Sequence, residues 1–168
     1  AALFGAFVLG SCATPTKEQS LVSKAADAMG GANALASIKT ITTSGTSKWW
    51  EPEQSDVPGG EPRFSAEGKI DAIADVASRT TRYDYQKNFA YPTPRTFTYS
   101  EVVTPQAGYV IGIDSNGRNA ESLKANPPAH SMSGYRLATT QRERARTGIA
   151  GLISTMLANP DAVKPAAD

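Results

Sequence analysis

Phe97-Thr98-Tyr99-Ser100-Glu101-Val102-Val103-Thr104-Pro105-Gln106-Ala107-Gly108-Tyr109-Val110-Ile111-Gly112-Ile113 is the stretch on which the fold turns. Phe97, Tyr99, Glu101 and Val103 alternate with Thr98, Ser100 and Val102, and side chains that repeat every second residue line one face of a strand. Thr104 to Ala107 contains a proline and reads as a turn, Gly108 to Ile113 as a second strand, and Asn116-Gly117 as another tight turn. Strands joined this closely pair antiparallel, because a parallel partner would need a long crossover. The centre of the chain is therefore expected to be an antiparallel meander.

Reading outward from there, Phe64, Ala66, Gly68, Ile70 and Ala72 alternate with Ser65, Glu67, Lys69 and Asp71, the pattern of a half-buried strand. Beyond Ala74-Asp75 the phase changes, with Ala77, Tyr83 and Tyr85 at odd positions, which fits a turn or a bulge. Lys39 to Trp50 is rich in Thr and aromatic residues and reads as a strand. Glu51 to Pro62, with its prolines and a Gly-Gly pair, is expected to be an exposed connection. Ahead of the sheet, Leu21, Val22, Ala25, Ala26 and Met29 fall at helical spacing behind a Thr16 cap, and Gly30-Gly31 ends that helix. A short turn through Ala32, Leu35 and Ile38 follows. After a loop at Asn126-Pro127-Pro128, Gly134 to Asn159 reads as one long helix with Leu137, Ala145, Ile149, Leu152, Ile153, Met156 and Leu157 on one side and Arg142, Glu143 and Arg146 opposite. Asn159-Pro160 stops it. The expected fold is α+β: an antiparallel meander sheet, open or curled into a half-open barrel, flanked by an N-terminal and a C-terminal helix.

The chain opens on Ala1-Ala2-Leu3-Phe4-Gly5-Ala6-Phe7-Val8-Leu9, an apolar run without an initiator Met. A run of about nine residues has the size of a signal-peptide core and falls far short of the roughly twenty that a spanning helix needs. Leu9-Gly10-Ser11-Cys12 resembles the bacterial lipobox, which implies cleavage before a lipidated Cys12 and anchoring on the periplasmic side of the cell envelope. Ala13 after the cysteine resembles the outer-membrane sorting pattern. The expected organisation is an N-terminally incomplete signal peptide and lipobox at 1–12, a tether at 13–19, a single α+β domain at 20–160, and a tail at 161–168 after which the chain either ends or continues into a further domain. Cys12 is the only cysteine, so no disulfide forms within the chain and the domain must stand on its core. Lys and Arg total 17 against 16 Asp and Glu, a net charge of +1, which offers no electrostatic case for nucleic acid.

Candidate chemistry is sparse. Zinc sites need several converging donors, and the chain has one His, His130, beside a Pro-Pro loop where an exposed imidazole is expected. No metal ligand set and no catalytic set can be read. The Gly-x-Ser-x-Gly elbow of Ser hydrolases is missing, and neither glycine pair opens a phosphate loop. Glu67, Asp71, Asp75 and Asp84 could pair as catalytic carboxylates, but their spacing on amphipathic strands fits a solvated face better. Two aromatic features are candidates for ligand or partner contact. Trp49 and Trp50 point to opposite faces of a strand, so one joins the core and the other is exposed. Tyr91-Pro92-Thr93-Pro94-Arg95 is a stiff, extended loop that holds Tyr91 and Arg95 at a fixed separation.

Three stretches, Ala25 to Ile41, Tyr91 to Thr98 and Leu137 to Glu143, resemble the N-terminal region of exported metallo-β-lactamase-fold hydrolases. The Gly-Gly-Ala-x-Ala-Leu-x-Ser-Ile-Lys-Thr opening is similar also to lipoprotein-carrier-like periplasmic domains, which implies a half-open barrel around an apolar groove. In the hydrolases the zinc ligands lie in a His-x-His-x-Asp-His motif of a later domain, and nothing here matches it. The resemblance therefore implies a non-catalytic accessory domain, with zinc and catalysis supplied by a C-terminal domain. The alternative is a self-standing envelope lipoprotein that binds a lipid or another hydrophobic ligand. A third reading is an enzyme working through His130 or a carboxylate pair.

Overall fold

Consecutive alternating segments become consecutive neighbours. In the computed structural model the strands β1 (Thr40–Glu51), β2 (Arg63–Asp75), β3 (Thr80–Phe89), β4 (Arg95–Val103), β5 (Gly108–Gly112) and β6 (Ala129–Ser131) form one sheet in sequence order, every pair antiparallel. β1 and β6 each have a single neighbour, so the meander is open. The structure describes residues 14–165 except 52 and 118; Cys12, the lipobox and the end of the tail lie outside the described residues. These form two compact units, one being Ser37–Ile149 with the sheet, the other assembled from helical segments on either side of it in sequence. The expected span 20–160 runs through both.

The phase change after Asp75 is a hairpin. Asp75 pairs with Thr80, and the Asp75 carboxylate accepts the Ser78 N–H at 2.6 Å, closing the intervening turn. Even positions of β2 thereby face odd positions of β3, as in Ile70 with Tyr85 and Ala72 with Tyr83. A second irregularity moves a residue from its expected face. Trp49 pairs with Ala66 but Trp50 pairs with Phe64, so Ser65 is the extra residue of a bulge. Phe64 consequently leaves the face of Ala66, Gly68 and Ile70 and packs edge-on against Trp50, ring centroids 5.9 Å apart.

The inner face follows from the register as rows across the strands. One row is Ser47, Gly68, Lys87, Phe97; the next is Gly45, Ile70, Tyr85, Tyr99; the next is Thr43, Ala72, Tyr83, Glu101, Val110, His130. Phe97, Tyr99, Val103, Val110 and Met132 form the buried core of this unit, with Tyr85, Phe89 and Leu137 packed against it. Leu137 comes from α4 (Gly134–Thr147), which lies over this part of the face. Ser133 caps α4 by accepting the Arg136 N–H at 3.2 Å.

The single C-terminal helix expected over 134–159 is two helices. α4 ends at Gly148, whose N–H bonds the Arg144 carbonyl, and a new helix, α5 (Ile149–Ala158), begins directly after it. Glycine is the weakest non-proline residue in a helix interior and a common helix end. Arg142, Glu143 and Arg146 face outward as expected, but Ala145, placed on the apolar side, is exposed. Two short elements had no sequence expectation: α3 (Ala120–Ala125), capped by Asn119, and β6 itself. His130 is thus no solvated loop residue but sits half-buried in an edge strand.

The helical unit holds α1 (Lys17–Ala28), α2 (Ala32–Ser37), α5 and a 3-10 turn at Pro160–Ala162. Thr16 caps α1 as expected, in a reciprocal box: its hydroxyl accepts the Gln19 backbone N–H at 3.2 Å and the Gln19 side-chain Oε1 accepts the Thr16 N–H at 2.9 Å. The Gln19 amide also donates to the Pro160 carbonyl at 3.0 Å, tying the start of α1 to the turn after α5. Gly30 and Gly31 stop α1 in the left-handed region at φ 100° and 91°. Among the described residues no helix is long and apolar enough to cross a membrane.

Gly68 is the position where the sheet needs glycine. A Cβ there would collide with the Gln86 carbonyl of the neighbouring strand, a backbone atom that cannot swing aside. Gly68→Ala is therefore expected to cost about 1–3 kcal/mol, read as a thermal midpoint lowered by roughly 2–4 °C per kcal/mol in a chain of this size. An unchanged midpoint would contradict the close approach of β2 and β3.

Candidate functional site

Glu101 carries a charge into a row of aromatic and aliphatic side chains, because its odd position in β4 aims it at the inner face. A buried carboxylate needs donors, and α4 supplies two. The Arg136 guanidinium bridges Glu101 at 2.7 Å and Asp114 at 2.6 Å. Arg144, two helical turns further on, reaches the other Glu101 oxygen at 2.8 Å and donates to the Tyr85 hydroxyl at 2.7 Å, its guanidinium 3.2 Å above the Tyr83 ring. Only 3% of the Asp114 side chain and 11% of the Glu101 side chain is exposed. Asp114 is positioned by the expected Asn116-Gly117 turn, where its carboxylate accepts the Asn116 N–H at 2.9 Å. Desolvation pulls the Arg136 guanidinium down, but its bonds to Glu101 and Asp114 outweigh that and leave it above its ordinary value. Burial raises the Tyr85 and Tyr99 hydroxyls above their ordinary value.

One row away, the Lys87 ammonium lies 4.6 Å from the Trp49 ring centroid, 5.0 Å from that of Tyr85 and 5.9 Å from that of Tyr99. Trp49 reaches it because the positions between them on β2, Ala66 and Gly68, are small. Desolvation lowers the Lys87 ammonium, opposed in part by the Glu101 charge. At the end of the same face, Phe89, Tyr91, Pro92, Thr93, Arg95 and Phe97 line an open hollow of about 200 Å³.

The four residues singled out for ligand or partner contact separate into different places. Trp49 is half-buried on the inner face beside Lys87, while Trp50 is 51% exposed on the other. Tyr91 and Arg95 do line one hollow, though the segment is a tight hairpin loop between paired Phe89 and Arg95 and not an extended spacer. Tyr91 stacks under the Arg63 guanidinium at 4.2 Å, and Arg95 lies over Phe97 at 5.1 Å.

Of the acids, Asp71 and Asp84 pair directly across β2 and β3 on the outer face. Asp71 accepts the Ser44 hydroxyl, and Asp84 is held below the usual carboxylate range by hydrogen bonds from Arg82 and Ser100. Each is occupied by its own partner. His130 donates from Nδ1 to the Pro127 carbonyl at 2.7 Å, and its Nε2 is buried without a hydrogen bond among the described residues. Among those residues no three His, Cys, Asp or Glu side chains group to hold a metal ion.

Arg136, Arg144, Asp114 and Lys87 were not foreseen. The available signals were Glu101 inside an apolar alternation and arginines eight residues apart, on one face of a helix.

Comparison of the chain with protein-family models, curated proteins and solved structures finds no match.

The Glu101 cluster yields a direct test. Removing one partner of a buried pair costs about 3–5 kcal/mol, because the remaining charge stays buried. Arg136→Met keeps the length of the stem but strands Asp114, so chemical denaturation is expected to show a loss of about 3 kcal/mol. A loss under about 1 kcal/mol, the worth of an exposed pair, would contradict burial of this cluster.

Proposed function

We propose that this chain is a ligand-binding domain of the bacterial cell envelope, tethered on its periplasmic side, at the outer membrane, through a lipidated Cys12, and that it takes a hydrophobic ligand at the hollow of the β3–β4 hairpin. The observation that supports this reading is the hollow itself, lined by Phe89, Tyr91, Pro92, Thr93, Arg95 and Phe97. Its volume of about 200 Å³ is below the roughly 300 Å³ at which drug-sized pockets begin. It suits one ring or a short acyl segment, with the rest of the ligand lying along the inner face.

A second proposal is the accessory domain of a metallo-β-lactamase-fold hydrolase, with zinc and the catalytic residues in a C-terminal domain. It rests on the three resembling stretches. One of them, Tyr91 to Thr98, supplies most of the hollow's lining, so on this reading the hollow receives the catalytic domain.

Thr93→Trp fills the hollow from an exposed loop position. The full chain is expected to bind a fluorescent fatty-acyl probe saturably, and Thr93→Trp to weaken that binding by about tenfold, equivalent to ~1.4 kcal/mol, at an unchanged melting temperature. Equal binding by both proteins would remove the hollow as the ligand site.

A further inference from the structure

The charges gathered around Glu101 do not balance. Two carboxylates, Glu101 and Asp114, meet three cations, Arg136, Arg144 and Lys87. Both Glu101 oxygens are taken by the two guanidinium groups, and Asp114 is bound by Arg136 and Asn116. Lys87 is the one left over: among the described residues its ammonium makes ring contacts but no hydrogen bond and no ion pair. An ammonium carries three donors, and the Trp49, Tyr85 and Tyr99 rings around it accept none of them in the ordinary sense, offering only their faces.

Lys87 also has a fixed relation to the hollow. It is the direct cross-strand partner of Phe97, one of the residues lining the hollow. Phe89, another, lies two positions along β3 on the same face, about 7 Å away at the rise of a strand.

The geometry points to Lys87 as the counter-ion for the anionic head group, a carboxylate or a phosphate monoester, of an amphiphile whose apolar part lies over Phe97 and Phe89 into the hairpin hollow. This rests on the hollow being a hydrophobic ligand site. Burial makes the site selective for an anion. A neutral head group would leave the ammonium desolvated and unpaired, whereas an anion supplies a charge-assisted hydrogen bond in surroundings of low dielectric. Lowering of the Lys87 ammonium by desolvation has the same origin, and a bound anion would reverse it.

Isothermal titration of the full chain with dodecanoate, dodecyl phosphate and dodecanol tests this. At least one acid is expected to bind about tenfold tighter than the alcohol, the scale of one charged hydrogen bond, and the tighter acid identifies the head group. Lys87→Met is expected to abolish that preference, and Lys87→Arg to retain most of it. Equal affinities for acids and alcohol in the unmodified chain, a comparison that needs no variant to fold, would overturn the Lys87 assignment and leave the hollow standing. Failure of all three to bind would overturn both.

Discussion

A period of two side chains puts a carboxylate where the core should be, and much of the sheet-bearing unit answers that placement. Glu101 cannot turn outward without turning Phe97, Tyr99 and Val103 with it, since all four share one face of β4. The charge is accommodated by importing guanidinium groups from α4, which fixes where that helix lies and how it is rotated. Arg136 and Arg144 are on the helix face that carries Leu137 into the core, so the polar and apolar contacts of α4 select the same orientation. Gln141, on that face too, donates to the carbonyls of Thr104 and Pro105 in the β4–β5 turn at 2.9 and 3.1 Å. A buried ion cluster contributes less to net stability than its number of bonds suggests, because desolvation of each group opposes it. Its effect here is on arrangement, since a different docking of α4 would leave Glu101 and Asp114 buried without partners.

With α4 committed to β3, β4 and β5, the other half of the inner face is left with small side chains on β2 and β1, Ala66, Gly68 and Gly45 among them. The same smallness that lets β2 and β3 approach closely at Gly68 lets Trp49 extend across to Lys87. Fold and site are thus linked through one row of the sheet: glycine for the backbone, then a lysine whose charge the cluster next to it cannot absorb. The hydrophobic hollow at the hairpin end continues that row, and the proposal of an amphiphile with an acidic end rests on this juxtaposition.

The sheet was legible in the sequence because alternation and turn residues are local signals. Thr104 to Ala107, Asn116-Gly117 and the phase change after Asp75 each mark a turn that the structure contains, and Thr16 marks the helix cap. What escaped the sequence depends on pairing. The bulge at Ser65 is set by how β1 and β2 align, so Phe64 was assigned to the wrong face although its own alternation was sound. The break at Gly148 was hidden because helical spacing continues across it, with Leu137 and Leu152 fitting one stripe on paper. β6 was hidden because three residues after two prolines resemble a loop until β5 offers them a partner, and His130 moved from solvent to an edge strand with them. The site was only partly legible. Trp49, Tyr91 and Arg95 fall where the inner face and the hollow are, but the charges that give the face its character come from segments far apart in sequence, and no spacing rule joins Glu101 to Arg136 or Lys87 to Trp49.

The account stands on Glu101 holding α4 in place. Amide hydrogen exchange in a Glu101→Leu variant measures this directly, since leucine suits the apolar row while Arg144 loses its carboxylate and Arg136 keeps only Asp114. Protection across Gly134–Thr147 should fall by roughly tenfold or more, the signature of a locally released element, while the β2 and β3 amides keep theirs. If α4 stays as protected as in the parent chain, or if the sheet loses protection to the same extent, the helix is held by its apolar contacts or the unit unfolds as one, and the claim that a single carboxylate positions it is wrong.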